Sequence, residues 1–193
     1  MLTLYSYPTL FGVADNNGYG LKVYAFLRLV GLPFRHEHVF DASKAPRSQL
    51  PYIDDDGQIV GDSGVILEHL TRKYRLTLDA DLNDAQRNTD LLVTRLLDAK
   101  AYNANRYHWQ GIGRYAPDEA MARGVADLKV VADLLRENAF FVHGATPTSI
   151  DAGIYGFIAN ILYYDIDTPL KRCVEAHPQL VRHCRAIHAS ISG

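Results

Sequence analysis

The sequence predicts a small α/β unit followed by an all-helical one. Strand-like and helix-like segments alternate through residues 1–75, whereas from Asp84 onward apolar residues recur at helical spacing, with breaks at 111–117, 138–147 and 165–169. Domains run about 100 to 200 residues, so 193 residues could form one large domain or two small ones. The change of pattern favours two, covering 1–75 and 84–193.

The first unit opens with "LTLYSY", a strand. A loop holding Asn16, Asn17, Gly18 and Gly20 leads into an apolar-periodic run, Leu21, Tyr24, Ala25, Leu27 and Val30, and so into a helix over 19–30. "FRHEHVF" alternates as a second strand. "LPYID" and "QIVGD" are two short strands around Asp54-Asp55-Asp56-Gly57, which carries hairpin-turn chemistry. Ser63 is then expected to cap the helix "GVILEHLTRKY", with Val65, Ile66, Leu67 and Leu70 facing inward. The order is β-α-β, then β-β-α. No internal repeat interrupts it.

Composition excludes several functions. With 20 basic and 22 acidic residues the formal charge is −2, which offers no electrostatic footprint for nucleic acid or an anionic membrane. The first strand begins at Leu2 and no apolar run approaches the roughly 18 residues of a membrane span, so a soluble cytoplasmic protein is expected. Cys173 and Cys184, eleven residues apart, match neither a metal knuckle nor a redox pair and read as ordinary thiols. His36 and His38 share a strand face without partners at metal-ligand spacing; solvated histidines and no metal are expected.

The chemistry concentrates in "SQLPYIDDDGQIVGDSGVILEHL". Pro51 opens a strand, where its missing N–H is tolerated, and leaves Leu50 with backbone groups free to pair outside the sheet. Eleven residues on, Asp62 and Ser63 stand at a helix start, where free N–H groups favour a carboxylate. The other helix start, Asn17-Gly18-Tyr19-Gly20, has no thiol, aliphatic hydroxyl or carboxylate. Two anion-favouring helix starts and one strand edge converge on the same end of the sheet.

Strand, helix, strand, "QLP", hairpin, "DS" and an all-helical second unit resemble the cytosolic glutathione transferases, whose first domain is thioredoxin-like. "PTLFGVADNN", "GLKVYAFLRLVGLPF", "LPYIDDDGQIVGDS" and "TPLKRCVEAHPQLVRHCRAI" look most like the metaxin and failed-axon-connections branch, which mixes transferase-like proteins with members that act through protein contacts. The resemblance implies glutathione as co-substrate and a homodimer. It makes Pro51 a cis-proline, gives Leu50 the paired backbone bonds to the cysteinyl residue, and has Gln49 help hold the tripeptide. Asp62 and Ser63 would take the γ-glutamyl end, and Lys44 or Arg47 the glycyl carboxylate. In "PTSIDAGIYGFIA" Thr148 and Asp151 resemble the family's capping box, which serves folding.

Relatives carry a catalytic Ser or Cys where this chain has Asn17, and many in this branch read Ser-Pro-Phe-Cys. Without that sulfur, disulfide exchange is not expected, since the attacking species must be a thiolate. Conjugation needs only a donor that stabilises glutathione's own thiolate; Asn17 is the first choice, then Tyr7, then Ser6. Tyr5 and Tyr7 share one strand face and Ser6 takes the other. Arg95, Asp98, Tyr102, Arg106 and Trp109 form one helical stripe, either a dimer or domain seam or the electrophile pocket. In a pocket, Tyr102 and Trp109 would stack on an apolar or aromatic substrate and Arg106 would favour an acidic one. Three functions stay open: transfer of glutathione to a small electrophile, a catalytically silent interaction or ligand-binding protein, and a glutathione-dependent isomerase or lyase.

Overall fold

A computed structural model describes residues 1–98, 116–136 and 140–192. Its first part is a four-stranded mixed sheet in the order β2-β1-β3-β4. Strand β1 (Leu2–Ser6) leads to α1 (Gly18–Leu29) and then to β2 (Arg35–His38), which pairs parallel with β1. Two short 3-10 turns, Ala42–Lys44 and Pro46–Ser48, precede β3 (Tyr52–Asp55) and β4 (Gln58–Gly61). Between them Asp56 and Gly57 both take positive φ, 56° and 90°, as a two-residue type I′ hairpin demands. Helix α2 (Ser63–Tyr74) follows.

Alternation along β1 decides which face is covered. Leu2, Leu4 and Ser6 are buried, and so are Ile53 and Val60 on the neighbouring strands. These side chains meet Leu21, Phe26, Ile66 and Leu70 from α1 and α2 in one core. Tyr5 lies on the opposite face, stacked on Tyr52 with ring centroids 4.5 Å apart. Asp55, on the covered face of β3, fastens the far end of α2: His69 Nε2 lies 2.8 Å away, the Tyr74 hydroxyl donates at 2.7 Å and Lys73 Nζ at 2.8 Å. Burial alone would raise the Asp55 pKa, but the three donors outweigh it and hold it at about 2.

The second part is helical: α3 (Asp84–Asp98), α4 (Pro117–Arg136), α5 (Ser149–Leu162), α6 (Pro169–Glu175) and α7 (Pro178–Ile191). Nine residues of α5 are buried, so this helix is apolar nearly all round and sits among α1, α3, α6 and α7. Its start carries the expected box. Asp151 accepts the Thr148 N–H at 2.8 Å and hydroxyl at 2.9 Å, and also the Val142 N–H at 2.9 Å, with His183 Nε2 at 2.9 Å. No helix among the described residues is long and apolar enough to cross a membrane.

Three expectations change. Ser63 is not the cap of α2 but its first helical residue; Asp62 caps it, accepting from Gly64 N–H at 3.0 Å and Val65 N–H at 3.4 Å. Val65 faces outward at 50% exposure, because Ser63, Ile66 and Leu70 set the buried stripe. His36 is half-buried rather than solvated, with Nε2 2.7 Å from the hydroxyl of buried Ser6.

Candidate functional site

The parallel β1 and antiparallel β3 place the starts of α1 and α2 and the chain before β3 at one end of the sheet. At that end the Leu50–Pro51 peptide bond is cis, and among the described residues neither backbone group of Leu50 takes part in a backbone hydrogen bond. Gln49 directly precedes it and donates its N–H to the Pro46 carbonyl at 3.2 Å.

Asp62 takes φ 75°, a conformation that costs a non-glycine residue on the order of 1 kcal/mol. This turns its Oδ1 onto the α2 amides, while its Oδ2 meets Arg47 Nη2 at 3.3 Å on the solvent side. Ser63 is buried beside it. Arg47 therefore pairs with Asp62, and the Lys44 side chain lies outside the described set.

At α1 the cap is Asn17, whose Oδ1 accepts the Tyr19 N–H at 2.9 Å. That leaves the Nδ2 end of the amide as a donor at the helix start. Behind it lies Asp15, only 1% exposed. Its Oδ1 accepts the Asn17 N–H at 2.7 Å, whereas its Oδ2 has no partner among the described residues and is packed against Gly20, where a methyl group would collide with it. Burial pushes the Asp15 pKa up to about 6, only partly offset by the Ser6 hydroxyl and the Asn17 and Tyr7 amides around it. Burial likewise pushes His36 down to about 4, leaving it neutral at pH 7. Ser6 is thus a buried link in this cluster. Tyr7 stands at its rim, half-buried, its carbonyl 3.1 Å from His38 Nδ1.

The structure thus brings Asn17, Tyr7, Gln49, Leu50, Pro51, Asp62 and Ser63 to one end of the sheet. Tyr102, Arg106 and Trp109 lie outside the described residues. Sequence reasoning missed Asp15, whose role depends on tertiary burial. It also missed Lys22, a cation on the buried stripe of α1 that a count of helical positions from Gly18 to Phe26 would have found.

Comparisons with known proteins agree with this architecture. Residues 19–112 match the model of the glutathione S-transferase N-terminal domain and residues 124–187 that of the C-terminal domain. Failed axon connections of Drosophila melanogaster is 27% identical over 86% of this chain and 52% of its own length. Isoprene-epoxide–glutathione S-transferase of Rhodococcus sp. (strain AD45) is 36% identical over 58% of this chain and 46% of its own. The chain therefore spans about half the length of these curated relatives. A glutathione S-transferase structure from Methylobacillus flagellatus superposes with a TM-score of 0.72 at 15% identity, covering 98% of each chain. The chain belongs to the glutathione S-transferase superfamily, and among its members it is similar to failed axon connections.

Proposed function

We propose that this chain binds reduced glutathione across the end of its sheet and stabilises the bound thiolate for transfer to a small apolar or aromatic electrophile. The observation that carries this reading is the convergence of two capped helix starts, at Asn17 and Asp62, with the unpaired backbone of Leu50. Two similar proteins support it. One is named as a glutathione transferase acting on isoprene epoxide, and the other holds glutathione in its structure.

In this reading Leu50 lends its N–H and C=O to the cysteinyl residue, and Gln49 helps hold the tripeptide. Asp62 takes the γ-glutamyl ammonium through its solvent-side oxygen, and Ser63 the carboxylate. The thiolate lies at the start of α1, where the Asn17 Nδ2, the helix amides and the positive end of the dipole stabilise it. An ordinary thiol with a pKa of about 8.5 is mostly protonated at neutral pH, and each unit by which it is lowered takes about 1.4 kcal/mol of preferential stabilisation. Tyr7 is the alternative donor. The electrophile would meet Tyr102, Arg106 and Trp109.

Calorimetric titration with reduced glutathione tests the binding step: saturable binding is expected, and loss of most of it in the Asp62→Ala, Ser63→Ala double variant. Retained affinity in that variant would move the site elsewhere. The thiolate band in ultraviolet difference spectra tests the chemistry: Asn17→Ala should raise the pKa of the bound thiol, and an unchanged titration would transfer the role to Tyr7 or the backbone. A second reading, binding without turnover, is favoured by the commitment of the Asn17 oxygen to its cap and by a helix start, Asn17-Gly18-Tyr19-Gly20, that carries no thiol or aliphatic hydroxyl. It would show as saturable binding with no thiolate band at neutral pH.

A further inference from the structure

A cavity of about 170 Å³ lies where the chain passes from the sheet to the helices that follow it. Buried Phe26 of α1 forms its floor, half-buried Leu76 and Leu78 of the connecting segment its walls, and exposed Thr71 of α2 and Arg87 of α3 its rim. None of the residues gathered at the end of the sheet lines it. Phe26 stands eight residues past Gly18 and Thr71 eight past Ser63, so at about 1.5 Å of rise per residue the cavity sits about 12 Å along both helices from their starts.

Local chemistry fixes the cation at the rim. Asn83 and Gln86 close the start of α3 reciprocally, each side-chain oxygen accepting the other residue's backbone N–H at 3.0 Å. Arg87 follows directly. Its Nη2 donates to the Asp79 carbonyl at 2.8 Å and lies 3.5 Å from the Ala80 carbonyl, so the connecting segment holds the guanidinium at the cavity. Its Nε and Nη1 make neither a hydrogen bond nor an ion pair among the described residues. A guanidinium already anchored loses little further rotamer freedom when a ligand arrives. Asp79, the carboxylate on the lining, is engaged elsewhere: it accepts the Ser149 N–H at 2.8 Å and the Ser149 hydroxyl at the start of α5.

Space and charge together select an occupant. An apolar cavity of about 150 Å³ holds one benzene ring, so this one admits a single ring with a small substituent. Phe26 offers that ring an aromatic contact, and the remaining guanidinium N–H groups offer an anion charge-assisted hydrogen bonds. We infer that this cavity is a second binding site, for small aromatic carboxylates, with the ring against Phe26, Leu76 and Leu78 and the carboxylate on Arg87. The site goes beyond the glutathione reading and does not depend on it.

Calorimetric titrations of the full chain with benzoate and with benzamide, its neutral analogue of the same shape, test the assignment. Wild-type protein should bind benzoate saturably and about tenfold more tightly than benzamide, as one hydrogen bond gains from carrying charge. Arg87→Gln should bind both ligands alike. Thr71→Phe, which fills the cavity from an exposed position, should weaken both at least about tenfold with an unchanged circular dichroism spectrum. Millimolar glutathione should leave the benzoate titration unchanged. The inference is overturned by wild-type protein that fails to saturate with benzoate or does not prefer it, by an Arg87→Gln protein that keeps the preference, or by a Thr71→Phe protein that binds as wild type does. Displacement of benzoate by glutathione would also overturn it, by placing the ligand at the other end of the helices. A chain that binds benzoate as expected but not glutathione would uphold the inference and overturn only the reading above.

Discussion

The two helix starts at the end of the sheet are built in opposite ways. The start of α2 is open: its cap, Asp62, has a side chain 48% exposed, holds its strained backbone with two amides of its own helix, and meets solvent through Arg47. The start of α1 is enclosed. Asp15 is buried behind it with one oxygen unpartnered among the described residues, and α5 presses on it from the other side at Gly156, where a side chain would strike the Gly18 carbonyl. An open start can adapt to the flexible γ-glutamyl end of a ligand, whereas an enclosed start fixes the donors that a thiolate must find in place. In the proposed glutathione site, the rigid start would be the one that stabilises charge.

The sharpest way to break the contrast is to add one methyl group on each side. Gly→Ala inside a helix ordinarily gains about 1 kcal/mol. At Gly156 the methyl meets backbone atoms of α1, which no rotamer change can move aside, so Gly156→Ala is expected to cost about 3 kcal/mol in urea unfolding. At Gly64, in the first turn of α2, the nearest atom to a new methyl is Asp62 Oδ1 at 3.4 Å, an ordinary contact. Gly64→Ala should therefore leave stability unchanged or slightly raised. Similar losses at both positions would mean that the two starts do not differ in packing.

The same contrast explains what could be read in the sequence. The hairpin was legible because Asp56-Gly57 is a local signal, and the α5 box because Thr148 and Asp151 are three residues apart. At α2 the helix start was legible but its cap was not: Asp and Ser are both good caps, and the choice rests on the positive φ of Asp62, which no side-chain pattern announces. At α1 the supporting cluster was illegible, since Ser6 and His36 lie thirty residues apart and meet only through the pairing of β1 with β2. Lys22 was legible after all. A lysine four residues after Gly18 and four before Phe26 must lie on the stripe they share.

Acid should separate the groups of that enclosed cluster. Asp15 has its folded pKa raised, from 3.8 to about 6, so the native state takes up a proton before the unfolded chain does. Its contribution to stability therefore grows as pH falls from 6 toward 4 and is lost as pH rises through 6. His36 has its folded pKa lowered, from 6.5 to about 4, so its contribution is full above 6.5 and is lost across the same interval on acidification. The two slopes oppose each other. Asp15→Asn keeps an oxygen for the Asn17 amide but removes the titration, leaving the His36 slope unbalanced. Relative to wild type the variant should lose about 2 kcal/mol between pH 6 and pH 4. Parallel pH profiles for the two proteins would show that Asp15 does not titrate there.

Arg47 should have the smallest effect. Its ion pair with Asp62 is 3.3 Å long and joins side chains that are 64% and 48% exposed, so water and salt screen it. Exposed pairs of this kind contribute about 0 to 1 kcal/mol, and the long guanidinium side chain loses rotamer freedom to form one. The cap itself uses the other Asp62 oxygen, which does not depend on Arg47. Arg47→Ala is thus expected to lower stability by no more than about 0.5 kcal/mol, with the difference vanishing in high salt. A salt-independent loss of 1 kcal/mol or more would mean that Arg47, and not the α2 amides, holds Asp62 in its strained conformation. The open start would then be braced from outside, as the enclosed one is from within.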